Sequence, residues 1–267
     1  MLLTGADAVP AAGTLAQQLA IAAAVGASSG AIGAFVVLKR MALVGDALSH
    51  VALPGIALAL AYGLDPLWGI VVSLLLAAGL VWWLQDQTGL PVDALVGLLF
   101  TASLAVGILL IPDAEILESL FGAFPALSAP ELAITLGSAL AALGVTFAFA
   151  RRFLLRVLSE DLARVAGAGR GYDLLLLVVF CGVVALGIKL VGTLLMGALT
   201  IIPASIARNV AGGMRAYMMG SAACGAAVAV AGTALAAWWS LRPGPTIILL
   251  GVVVFVFSLP FAARAGK

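Results

Sequence analysis

Gly45-Asp46-Ala47-Leu48-Ser49-His50-Val51-Ala52-Leu53-Pro54-Gly55 sets an aspartate and the only histidine of the chain inside a largely apolar run from 43 to 62. A run of about 20 such residues reads as a helix long enough to cross a bilayer. An ionisable side chain there is costly and marks function by default. Positions four apart on a helix share one face, so an Asp46 oxygen and a His50 nitrogen can point at one ion. Pro54 lacks the N–H that would meet the His50 carbonyl, which loosens the helix and leaves a further acceptor oxygen beside the pair. The structural alternative is that Asp46 caps the helix after Gly45 and His50 donates to a neighbouring carbonyl.

The rest of the chain agrees with a membrane setting. Of its 267 residues 64% are hydrophobic and only 9% charged, against about a quarter charged in soluble domains. Mean hydropathy is +1.24. The apolar runs suit helices rather than the alternating strands of a barrel, so the expected fold is all-α, a polytopic transmembrane bundle forming one domain over 1–267. A net charge of +1 gives no basic field for nucleic acid. Cys181 and Cys224 lie in apolar helices and read as small core residues. The stretch Met1 to Gly13 has no basic start, so it does not read as a cleavable signal.

Helices are expected at 14–38, 43–62, 66–84, 91–111, 130–150, 172–188, 190–208, 214–239 and 244–262, nine in all. Prolines 66, 91, 130, 243 and 245 stand where a first helical turn accepts them. Only Gly187 to Gly192 separates the sixth from the seventh, so eight crossings with one broken helix is the alternative. In the nine-helix scheme one side collects all but two of the 13 basic residues, Lys189 and Arg242 being the exceptions. That side is cytoplasmic by the positive-inside rule, with the N-terminus outside and the C-terminus inside. Counted from Arg40, Asp46 and His50 lie about 9 and 15 Å along the helix, near mid-bilayer.

Small residues recur as Gly26-Ala27-Ser28-Ser29-Gly30 and Gly33, a face for close helix contact, either within the chain or between subunits. Between Arg151 and Asp173 the chain is polar. Within it, 158–167 has apolar positions at 158, 162, 165 and 166, the period of a short cytoplasmic helix ended by glycine. Such a helix can enter a groove on a soluble partner or lie on the membrane surface. Pro203 frees the Leu199 carbonyl in the seventh helix, which fits either a packing kink or a substrate path.

Two strong ligands are too few for a divalent metal that takes about four or six. A two-fold homodimer sharing the site, or water and backbone oxygen, would complete it. Mixed oxygen and nitrogen donors suit zinc, manganese or ferrous iron. No phosphate-binding loop and no catalytic triad are present in the sequence, so ATP hydrolysis or other catalysis by this chain is not expected.

With these residues assembled, the chain resembles the membrane permease subunits of ATP-binding-cassette importers for zinc, manganese and iron. The specific part is Phe35 to Val44 followed by Gly45-Asp46-Ala47-Leu48-Ser49-His50 and Leu53-Pro54-Gly55; weaker matches are Leu120-Phe121-Gly122, Gly192 to Ala204 and Gly244-Pro245-Thr246. The resemblance implies a type II importer-like homodimer in the bacterial plasma membrane. It further implies two cytoplasmic ATPase subunits that use the ATP, and an extracytoplasmic binding protein that delivers zinc or manganese to Asp46 and His50. No cofactor would be permanently bound. It places the coupling helix at 158–167, so that Leu158, Glu160, Asp161, Leu162 and Arg164 would meet the ATPase. Two competitors remain: a permease for a metal chelate such as a siderophore or cobalamin, and an ATP-independent cation carrier.

Overall fold

A computed structural model describes residues 14–41, 44–110, 127–193 and 196–265. The expected match Leu120-Phe121-Gly122 lies outside them. The described residues form eleven helices: α1 Leu15–Leu38, α2 Val44–Ala61, α3 Pro66–Thr88, α4 Val92–Leu110, α5 Ala129–Ala148, α6 Ala150–Leu158, α7 Glu160–Val165, α8 Gly171–Val191, α9 Met196–Val210, α10 Met214–Trp239 and α11 Pro243–Ala265. Among them, seven are long and apolar enough to cross a membrane. Each segment expected from the sequence is a helix, but α4, with its apolar stretch Val92–Gly107, and the 15-residue α9 are shorter than that.

α1 is the central rod, packed along α10 and flanked by α9, α5 and α8. Its small residues permit this. A methyl group on Gly26 would overlap the carbonyl of Gly225, one on Gly30 that of Ser221, and one on Gly33 that of Thr200. The stripe therefore serves internal packing, against α10 and α9. α2 lies against α3 and α4, and it meets the start of α9.

Three boundaries differ from expectation. α3 runs to Thr88 and stops at Gly89, whose φ of 68° is the left-handed value that ends helices. α8 continues to Val191, and the break falls at Gly192, where φ 82° and ψ 172° suit glycine alone. The third correction concerns 151–167. Ala150 to Leu158 is helical, joined to α5 through one non-helical residue, Phe149. Arg, Leu and Ala are good helix formers, and Phe153 is buried edge-on against Phe35 of α1 with centroids 5.6 Å apart. Ser159 is extended, and its hydroxyl accepts the Leu162 N–H at 3.4 Å. The helix expected over 158–167 thus begins at Glu160 and ends at Val165, while Leu158 belongs to α6.

Candidate metal pathway

α2 starts inside the bundle. Gly45 faces the Phe180 ring of α8, seven residues, or about 10 Å of helix, beyond Asp173, which binds Lys39 at the end of α1. The chain reaches α2 by a tight turn: Met41 N–H donates to Val36 O at 3.0 Å and Arg40 N–H to Val37 O at 3.1 Å. This is the hydrogen-bond pair of a Schellman motif, with Arg40 at φ 59° in the place usually held by glycine.

Asp46 stands in the first turn of α2, where a carboxylate complements the helix dipole, and His50 follows one turn later. Both are half-buried, and the two interact electrostatically. The His50 ring meets Phe100 of α4 edge-on at 5.4 Å. Its Nδ1 is buried without a hydrogen-bond partner, which leaves a nitrogen lone pair or N–H uncommitted. Pro54 interrupts α2 four residues on and lines an apolar groove of about 460 Å³ with Val51, Leu58 and Leu99. Pro203 is buried in α9, six residues past Gly197, and the structure does not bring it to the Asp46/His50 pair.

Two neighbours of the pair were not legible in the sequence. The first turn of α9 presses on Asp46, because a Cβ on Gly197 would lie 2.9 Å from the Asp46 nitrogen and Cβ. Asp93, in the first turn of α4, lines a cleft of about 380 Å³ together with Arg40, Asp46, Gly97 and Phe100. Its only advance signal is a carboxylate two residues after a helix-starting proline. Among the described residues, no three His, Cys, Asp or Glu side chains gather closely enough to hold a metal. The described residues of one copy thus place Asp46 and His50 together with no third such side chain close enough to complete a metal site.

The coupling candidates stand apart from the pair. On α7 only Ala163 is buried, while Asp161, Leu162 and Arg164 are exposed. Leu162 is 59% and Val165 90% exposed, and Leu158, at the end of α6, 67%. Glu160 is exposed and pairs with Arg156 at 3.9 Å.

A family model described as the ABC 3 transport family matches residues 12–262. The chain is 31% identical over 258 residues to the manganese import system permease protein ScaB of Streptococcus parasanguinis, covering 95% of this chain and 92% of the relative. It is 29% identical over 234 residues to the high-affinity zinc uptake system membrane protein ZnuB of Haemophilus influenzae, covering 85% and 90%. Among solved structures, PsaBC from Streptococcus pneumoniae in complex with Fab matches with a TM-score of 0.79 and 31% identity over 92% of this chain and 91% of that one. An inward-facing putative metal-chelate type ABC transporter shares the fold, with a TM-score of 0.74 at 20% identity over 92% and 85%.

Proposed function

The chain belongs to the ABC 3 transport family, and from that premise we propose that it is the membrane permease of an importer that carries manganese or zinc into a bacterial cell. The observation that carries this reading is the Asp46/His50 pair, four residues apart on α2, with an uncommitted His50 nitrogen beside a cleft that also holds Asp93. Oxygen and imidazole donors suit first-row divalent ions. The half-filled ligand set fits a homodimer in which two copies each contribute the pair, and an incomplete site also lets the ion leave.

In this reading the chain crosses the inner membrane nine times in a type II importer-like arrangement, N-terminus outside and C-terminus inside, with lipid around it. The short α4 and α9 are crossings buried partly by their neighbours. An extracytoplasmic binding protein delivers the ion, and two cytoplasmic ATPase subunits dock on α7 through Glu160, Asp161, Leu162 and Arg164, with Leu158 beside them. Pro54 loosens α2 next to the ligands; Pro203 gives α9 a bend that lets its first turn seat against Asp46. The chain itself moves the ion and leaves ATP chemistry to its partners.

The test is cellular zinc, manganese and iron content in a strain lacking the gene, restored with wild type or with His50→Ala at matched expression. The proposal expects one metal to fall, wild type to restore it and His50→Ala to fail. Full restoration by His50→Ala removes the imidazole from the pathway, and a deficit only in a chelated metal moves the cargo to the chelate class.

A further inference from the structure

Asp173 stands where three helices meet. It lies in the first turn of α8 and is 8% exposed. Oδ1 accepts from Lys39 Nζ, the cap of α1, at 3.0 Å; Oδ2 accepts from Arg156 Nε of α6 at 2.8 Å and from a second nitrogen of the same guanidinium. Arg156 is also 8% exposed. A buried carboxylate held by two cations is costly to separate from either, because the charge left behind is unpaired in a low dielectric. The guanidinium fork adds direction to the pair, which a point charge would not. Two arms of the cluster are therefore stiff.

The cluster reaches α7 in two ways. Arg156 pairs with Glu160 at 3.9 Å, a long contact to an exposed carboxylate and one of small energy. The covalent path is the stronger one: a single extended residue, Ser159, separates α6 from α7, so α6 follows when α7 is displaced. On the other side, Lys39 leads within two residues through the hydrogen-bonded Arg40–Met41 turn, and Val44 N–H donates back to Met41 O at 3.0 Å as α2 begins. Asp46 is two residues further on.

We infer that Asp173, with Lys39 and Arg156, is a positioning cluster that carries displacement of α7 to the start of α2, so that ATPase movement shifts Asp46. This rests on α7 being the ATPase-docking helix. Packed ion pairs joining rigid helices are a physical route for such coupling, typically worth a factor of a few to about thirty in the response.

The experiment uses the complete transporter in proteoliposomes, with manganese and zinc uptake and ATP hydrolysis measured together. Lys39→Met removes the arm to α1 and leaves the Arg156–Asp173 pair. The complex should assemble and hydrolyse ATP, while metal moved per ATP falls by about tenfold and Lys39→Arg recovers most of it. Asp86→Asn breaks the exposed Asp86–Arg170 bridge between α3 and the residue before α8, and should leave the ratio unchanged. A wild-type ratio in Lys39→Met, or an equal loss in Asp86→Asn, overturns the inference. Should Lys39→Met fail to assemble, Lys39→Gln, whose shorter neutral side chain gives up the ion pair with Asp173, should still lower the ratio several-fold, and an unchanged ratio there overturns it equally. Leu162→Asp separates the two ideas. If it retains the ATPase, the docking assignment is wrong; if it sheds the ATPase while Lys39→Met keeps its ratio, only the cluster's role is wrong.

Discussion

Ser49 Oγ of α2 donates to the carbonyl of Thr193, 144 positions away in sequence, at 2.6 Å, and lies 2.7 Å from the carbonyl of Asp46. One buried hydroxyl thus joins the turn that carries Asp46 to the segment between α8 and α9. Ser49→Ala removes that donor without adding bulk, a loss of about 1 kcal/mol. The variant should unfold a few degrees lower in a thermal-shift assay, and its metal uptake should fall more than that modest instability explains.

Gly197 leaves room for Asp46. A methyl group there would sit 2.9 Å from the Asp46 nitrogen and Cβ, and overpacking of this kind costs about 1–3 kcal/mol. Gly197→Ala should cut uptake strongly in membrane vesicles. Gly220→Ala, whose methyl would meet only the Ala207 Cβ at 3.4 Å, serves as the control and should leave uptake intact.

His50→Asp exchanges an imidazole for a carboxylate one helical turn from Asp46. Oxygen donors favour manganese, and loss of the nitrogen penalises zinc more. Competitive uptake of the two metals should shift toward manganese. A parallel loss of both would show that donor type at position 50 does not set preference.

Asp93 shares the cleft wall with Asp46 and Arg40. Its side chain is exposed, so Asp93→Asn should leave stability unchanged. If this cleft is the path of the ion under the proposed function, removing one carboxylate from it should raise the metal concentration for half-maximal transport by roughly threefold, the scale of a screened charge interaction under 1 kcal/mol. An unchanged concentration dependence would take Asp93 off the path.

The apolar face of α7 should behave as an interface. Leu162 and Val165 are large apolar side chains left open, Val165 at 90% exposure. Burying one such side chain against a partner is worth about 2 kcal/mol, or roughly thirtyfold in affinity. Leu162→Asp should therefore lose the ATPase subunit on co-purification, whereas Ala163, already buried, makes no such contact.

Asp46 and His50 were legible in the sequence because the relation between them is local. Four residues on a helix fix a shared face whatever surrounds it. The same holds for the helices built from long apolar runs, and for the stripe Gly26, Gly30 and Gly33, whose meaning as a close-contact face needed no partner. The stripe could not say which helices it met. In sequence the stretch 151–157 reads as part of a polar interruption rather than as a helix because it carries Arg151, Arg152 and Arg156. No local pattern signalled that Arg156 is buried against a carboxylate 17 residues away.

What the sequence determined alone was an all-helical chain with apolar segments of membrane-crossing length, a carboxylate and an imidazole one turn apart on one of them, and a short helix somewhere within 158–167. Tertiary structure decided that Gly197 seats against Asp46, that Asp93 shares its cleft, and that Lys39 and Arg156 converge on Asp173. The reason is physical. Helix formation and i,i+4 geometry depend on neighbours within a turn or two. Which charge meets which across 134 positions, as Lys39 meets Asp173, depends on how the helices pack, and no local pattern encodes it.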